Sequence, residues 1–308
     1  MSDVTAQVVS RREPAAGIVE LEMLLSGQYA VAPGSHIDLE TPAGMRRSYS
    51  VTHASNDSRG TTVGIAVALD EQGRGGSRSI HADVKVGTEL MVGPPTSGYA
   101  LPPARDGYLL VAGGIGITAM RWFYHQLKAN GGRVRLVYLV KSRSRAAYVE
   151  EFAGEDVTVY AAEEHDGRLD LWPWLQHPGE TNLVCCGPAG LLDQVRAMTM
   201  HWRPSRLRFE DFRPQPPSEF ANEPFTVRWA PTGQQIDVPA DRSMLAALQN
   251  AGIPIRSSCG AGTCQTCVVA LHAGTPEHRD VVLTTDQRAK LITPCVSRAE
   301  GLIEVGPA

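Results

Sequence analysis

The sequence predicts a multidomain chain of mixed α/β plus β class: an antiparallel β-barrel, an open parallel α/β sheet, and a small mixed sheet built around a cysteine loop. Three observations predict it. Residues 1–104 read as short strands punctuated by Gly and Pro turns. Residues 105–213 alternate continuously apolar runs with helical stretches. The last quarter of the 308 residues holds four cysteines, Cys259, Cys264, Cys267 and Cys295, spaced C-x4-C-x2-C-x27-C.

In the first segment the strand candidates are residues 4–10, 18–25, 36–41, 46–53, 61–69 and 89–93. Ile18-Val19-Glu20-Leu21-Glu22-Met23 alternates at period two, as a half-buried strand does. Ala32-Pro33-Gly34, Pro42-Ala43-Gly44 and residues 73–76 supply turn chemistry. Many short strands with such turns favour a small barrel.

The second segment carries apolar runs at 108–112, 134–140, 157–161 and 183–186. Unbroken apolar runs suit strands covered on both faces of a parallel sheet. A helix over 118–129 stops at Gly131-Gly132, and one over 188–200 opens on Pro188, where a missing N–H costs little. Strand–helix alternation argues for an open α/β sheet. Residues 214–221, with Pro214, Pro216 and Pro217, read as an extended linker.

The third segment, 222–308, opens with a hairpin over 225–230 and 235–238 around Pro231-Thr232-Gly233. A short helix over 244–251 has Ser243 or Asp241 as its cap and Gly252 as its stop. Strands at 268–272, 281–284 and 302–305 complete a mixed sheet.

Composition narrows the function. A hydrophobic fraction of 43% provides a sizeable core, and a formal net charge of −4 offers no basic field for nucleic acid. No run approaches the roughly 20 apolar residues of a membrane helix. The N-terminus lacks an apolar signal core, so a monomer in the reducing cytoplasm is the expectation, with no membrane partner.

The cysteines are the most specific signal. A [2Fe–2S] cluster takes four thiolates, and this is the plant-type spacing. The loop from Ser258 to Cys267 is rich in small residues that let the backbone wrap a cluster. Zinc knuckles more often pair two C-x2-C units, and only one is present; disulfides would imply export.

Two strand–glycine–helix junctions follow in importance. In Gly113-Gly114-Ile115-Gly116-Ile117-Thr118 an apolar run enters glycines and then a helix, as a pyrophosphate site requires. A tight turn without a ligand has the same look. Cys185-Cys186-Gly187-Pro188 is a second such junction. Cys186 facing a nicotinamide and a small buried side chain are both compatible with its position. In the barrel segment, Arg46-Arg47-Ser48-Tyr49-Ser50 combines cation, ring and hydroxyls, with Arg47 and Tyr49 on one face and Ser48 and Ser50 on the other. That set suits a flavin, and Gly73-Arg74-Gly75-Gly76-Ser77 suits an anion nest. A surface arginine and a turn explain each piece as well.

Taken together, these motifs resemble the phthalate dioxygenase reductase and vanillate demethylase reductase family over nearly the whole chain. The resemblance implies a flavin-binding antiparallel β-barrel (1–104), a nicotinamide-binding open parallel α/β domain (105–213) and a C-terminal β-grasp ferredoxin domain of plant type (222–308). Arg47-x-Tyr49-Ser50 is similar to the family's R-x-Y-S flavin motif. Gly75-Gly76-Ser77 is similar to its phosphate turn. Ser48 and Val67 belong with the same flavin site. Gly113, Gly114, Gly116, Thr118, Cys186, Gly187 and Pro188 fall on the nicotinamide motifs, with Ser50 and Cys186 beside the reacting atoms. Glu210-Asp211-Phe212 resembles the E-x-F ending, which would set Phe212 near the flavin. Three positions differ from the family pattern: Gln265 where glycine is frequent, Ala119 where proline is common, and Ala68 where relatives carry a base.

The family layout implies FMN, a [2Fe–2S] cluster and NADH, with electrons leaving for a Rieske-type oxygenase. A reductase serving a cytochrome monooxygenase or a separate ferredoxin is the alternative; a flavin-binding redox sensor is the alternative from another class. Lys141-Ser142-Arg143-Ser144-Arg145 could hold the 2′-phosphate of NADPH or be a solvated loop.

Overall fold

The computed structural model describes residues 3–95, 101–152, 154–212, 222–255, 262, 265, 267–280 and 282–308. The expected linker 214–221, as well as Cys259 and Cys264, lies outside the described residues. The chain divides into two compact units, Met1–Asp211 and Phe212–Ala308.

Strands β1 (Val4–Ala15), β2 (Ile18–Leu25), β3 (His36–Glu40), β4 (Arg46–Asp57), β5 (Gly60–Ala68) and β6 (Glu89–Val92) close into a barrel in the order β1-β2-β5-β4-β3-β6. Every pairing in it is antiparallel. Val19, Leu21, Met23 and Leu25 of β2 are fully buried inside, with Ile37, Leu39, Val63 and Ile65 from the facing strands. Each such side chain contributes about 1.5–3 kcal/mol of transfer free energy. Helix α1 (Gly76–Asp83) covers one end, anchored by Ile80 in the barrel core and by His81 Nε2 on the Val67 carbonyl at 2.9 Å.

The second half of the first unit is a five-stranded parallel sheet. Its strands are β7 (Tyr108–Gly113), β8 (Val134–Val140), β9 (Val157–Ala161), β10 (Asn182–Cys186) and β11 (Leu207–Glu210), in the order β11-β10-β7-β8-β9. Helices α2 (Ile117–Ala129), α3 (Trp172–Leu175) and α4 (Ala189–Met198) connect them. The apolar runs foretold the first four strands. β11 was missed, because Arg208 and Glu210 break its apolar pattern at a sheet edge.

The second unit is a mixed sheet of β12 (Phe225–Trp229), β13 (Gln234–Val238), β14 (Val269–Glu277), β15 (Leu291–Ile292) and β16 (Arg298–Gly306), ordered β13-β12-β16-β14-β15. Only β12 and β16 run parallel. Helix α5 (Met244–Asn250) packs on it through Met244, Ala247 and Leu248. Ser243 is its cap, accepting the Ala246 N–H at 3.1 Å. The expected strand over 281–284 does not form at residues 282–284. There Asp280 Oδ2 accepts the N–H groups of Val282 (3.3 Å) and Leu283 (2.9 Å), and Thr284 starts α6 (Thr285–Arg288) with a capping box. Side-chain acceptors at both ends outcompete the ladder for these backbone donors.

Candidate functional site

The strand order of the parallel sheet reverses at β7 and β10, which pair side by side but are not consecutive in sequence. Ligand crevices form beyond the carboxyl ends of strands at such a point. Both glycine junctions sit there. A Cβ on Gly116 would lie 2.6 Å from the Cys186 carbonyl carbon; one on Gly113 would lie 2.7 Å from Pro188 and Leu191; one on Gly187 would lie 2.9 Å from the Gly113 Cα. These three glycines therefore exist so that two turns can touch backbone to backbone. Gly114 differs: its φ is 53° and open space lies before it. The Thr118 hydroxyl is turned inward and donates to the Ile115 carbonyl at 2.9 Å, holding the turn.

A cavity of about 920 Å³ opens at this point, lined by Gly113, Gly114, Ile115, Pro188 and Gly190 at one end and by Lys141, Arg145, Tyr160 and Arg168 further along. Gly17, Ile18 and Ala68 of the barrel close its other wall. The volume suits an extended cofactor rather than a single small metabolite.

Cys186 and Cys185 are fully buried, on opposite faces of β10 and in different core clusters. Burial pushes the Cys186 thiol well above its ordinary value, and the charge of Glu210 adds to the shift. Burial lifts Cys185 to about 12. Burial thus disfavours the thiolate at both positions.

In the barrel, β4 presents Arg47, Ser48, Tyr49 and Ser50 in one run. Tyr49 packs against the barrel core, and burial raises its phenol to about 12 against the opposing effect of Arg47. Ser50 is buried on the opposite face, and its hydroxyl has no hydrogen-bond partner. A buried orphan hydroxyl costs about 1–3 kcal/mol unless a ligand satisfies it. Gly75, with φ 106°, leads into α1, whose first turn has no side-chain cap for its N–H groups. The Arg47 side chain lies beside that first turn: its Nε is 3.6 Å from where a Gly76 Cβ would stand. Cation, free helix start, ring and orphan hydroxyl together suit a planar heterocycle carrying a phosphate. Ser77 contributes differently from expectation, because its hydroxyl accepts the Asp70 N–H at 3.0 Å. The Val67 side chain faces the barrel core. Arg74 is exposed, and Phe212 is about half exposed at the last described residue before 222.

In the second unit, Val269 pairs with Ile292 across β14 and β15. Cys267 stands two residues before β14, and Cys295 three residues after β15, at the same end of this pair. Gly262, inside the cysteine loop, would meet the Val296 side chain at 2.6 Å if it bore a Cβ. This close approach brings the loop beside the neighbour of Cys295, as a shared ligand set requires. Gln265 has φ 60°, which explains why glycine suits the position; its side chain compensates by donating to the Val282 carbonyl at 3.2 Å.

One group of residues escaped the sequence reading. Glu20 alternates as an outward, solvated residue, yet it is only 2% exposed. It meets Arg12, Arg121 (3.4 Å) and the Tyr148 hydroxyl (2.9 Å), while Arg121 makes a two-point contact with Glu151 at 2.7 and 2.8 Å. Tyr148 adopts φ 62° with the Arg121 guanidinium 4.4 Å over its ring. This network clasps the barrel to the parallel-sheet lobe. Only tertiary contact reveals it, since strand alternation cannot tell solvent from a second lobe.

Known proteins bear on these sites. The profile of the 2Fe-2S iron-sulfur cluster binding domain matches residues 227–300. Phthalate dioxygenase reductase of Burkholderia cepacia is 37% identical over 274 residues, covering 87% of this chain and 84% of that protein. A solved structure titled as phthalate dioxygenase reductase, a modular structure for electron transfer from pyridine nucleotides to [2Fe-2S], aligns over 99% of this chain and 98% of that one, at 33% identity and a TM-score of 0.69. An intact type IV self-sufficient cytochrome P450 monooxygenase aligns over 98% of this chain but 41% of its own length, at 33% identity and a TM-score of 0.87. Extent and identity together establish that this chain belongs to the phthalate dioxygenase reductase family of flavin and iron–sulfur oxidoreductases.

Proposed function

We propose that this protein is the reductase of an oxygenase system, taking electrons from NADH through FMN and a [2Fe–2S] cluster to a separate terminal oxygenase of the Rieske type. The observation that carries the reading is the succession of three sites along one chain: the cradle with the orphan Ser50 hydroxyl, the crevice at the β7–β10 junction, and the approach of Gly262 in the cysteine loop to Val296 beside Cys295. Residues 1–104, 105–213 and 222–308 are assigned to these sites in turn, with 214–221 as the linker.

FMN, when bound, takes electrons in pairs from a nicotinamide and gives them singly to an iron–sulfur centre. The chain's own residues do the rest. Arg47 and the N–H groups of Gly76 and Ser77 hold the phosphate. Tyr49 offers its ring, with Ser48 its neighbour on the same strand. The Ser50 hydroxyl donates to the heterocycle, and this bond satisfies its only missing contact. Gly113, Gly114, Gly116, Gly187 and Pro188 shape the wall for the coenzyme's pyrophosphate, with Thr118 bracing the turn. Cys186 supports that wall through its backbone, which meets Gly116. Phe212 would shield the edge of the flavin. Cys259, Cys264, Cys267 and Cys295 would hold the cluster.

The test is the composition of the protein isolated without oxygen. The reading expects one FMN, two irons and two sulfides per chain, with flavin and cluster absorption. A colourless protein containing zinc contradicts it. The likeness to the P450 monooxygenase favours a second reading, in which a cytochrome is the acceptor; reconstitution with each oxygenase class separates the two. Among the described residues no helix is long and apolar enough to cross a membrane, and a cytoplasmic setting is in keeping with a cluster held by free thiolates.

A further inference from the structure

The far end of the coenzyme crevice is cationic. Lys141, Arg145 and Arg168 all line the cavity, and none of the three has a side-chain hydrogen bond or ion pair among the described residues. Lys141 directly follows β8, the second strand of the sheet. In dinucleotide folds a carboxylate near this place takes the ribose 2′-hydroxyl, and a cation there suits a 2′-phosphate instead. The two nearby carboxylates are already engaged. Glu164 accepts from Arg143 Nε at 3.0 Å, and Glu163 accepts the Arg143 backbone N–H at 3.0 Å. Arg143 is thereby held outside the cavity lining, so its charge cancels acidic neighbours rather than serving a ligand. Arg168 is carried by a short loop that is pinned where the Tyr160 hydroxyl donates to the Gly167 carbonyl at 2.7 Å and the Tyr160 ring stacks on His165 with centroids 4.3 Å apart. Asp70 and Glu71, the carboxylates that do line the cavity, come from the barrel wall after β5.

We propose that Lys141, Arg145 and Arg168 form a subsite for the 2′-phosphate of NADPH, so that the enzyme accepts NADPH as well as NADH. This rests on the coenzyme crevice assigned above. Calorimetric titration of the full-length holoprotein with 2′,5′-ADP and with 5′-AMP tests it without turnover. At low salt, 2′,5′-ADP is expected to bind at least about tenfold more tightly, through charge-assisted contacts that one extra phosphate adds. The advantage is expected to shrink as ionic strength rises. An Arg145→Gln/Arg168→Gln double variant should lose most of the preference, whereas Arg143→Gln should keep it. Equal binding of the two nucleotides by the unaltered protein overturns the subsite while leaving the crevice intact. A preference that survives in the double variant also overturns it. Absence of binding by either nucleotide at millimolar concentration overturns both the subsite and the crevice assignment.

Discussion

Two helix starts in the first unit open on glycines, yet the chain uses them in opposite ways. At α1, Gly75 supplies a left-handed φ of 106°, and the nearest atoms to an added Cβ on Gly75 or Gly76 lie 3.6 Å away. Space is left there, with Arg47 standing at its edge. At α2, the glycines are used up by contact with a second turn, and a Cβ on Gly116 would overlap the Cys186 carbonyl. The first start is an open anion site. The second is a rigid backbone joint that sets the crevice wall. Similar glycine-rich strings therefore answer differently to substitution.

The largest expected effect comes from the joint. Gly116→Ala should cost about 3 kcal/mol, the upper range for overpacking, because backbone rather than a flexible side chain must yield. Thermal denaturation measures it; an unchanged melting temperature would break the contrast. Gly75→Ala should cost about 1–2 kcal/mol, through backbone conformation alone, since the site has room for a methyl group. The same melts with and without FMN would show the loss in both. Arg47→Gln sharpens the comparison further. Apoprotein stability should hold within about 0.5 kcal/mol, while FMN affinity falls about tenfold in a fluorescence titration. Equal loss of stability would make Arg47 a structural residue instead. The smallest effect is expected at Ser50→Ala, where removing an orphan hydroxyl should raise apoprotein stability by up to about 1 kcal/mol. A loss there would mean that the hydroxyl already has a partner.

Much of the fold was legible in the sequence, for identifiable reasons. Period-two alternation marked β2, and unbroken apolar runs marked β7, β8, β9 and β10, because burial on one face or two leaves a direct imprint. Ser243 and Gly252 bounded α5 as capping chemistry requires. What escaped depends on contacts distant in sequence. Glu20 looked solvated until a second lobe covered it, and its partners Arg121 and Tyr148 lie more than a hundred residues away. The stretch at 282–284 looked like a strand because Val282 and Leu283 are apolar, but the Asp280 carboxylate takes their N–H groups. The site motifs were found, while the reason for each glycine was not. Steric contact with Cys186, not approach to a ligand, accounts for Gly116. Arg143 drew attention by composition, whereas Lys141, Arg145 and, distant in sequence, Arg168 are the cations that line the cavity.

The most direct test of the account is rapid anaerobic mixing of the holoprotein with NADH, followed at flavin and cluster wavelengths together. Electron passage along the chain is expected to bleach the flavin first and then the cluster, with both reduced before any acceptor is added. Flavin reduction with the cluster left oxidised would contradict it.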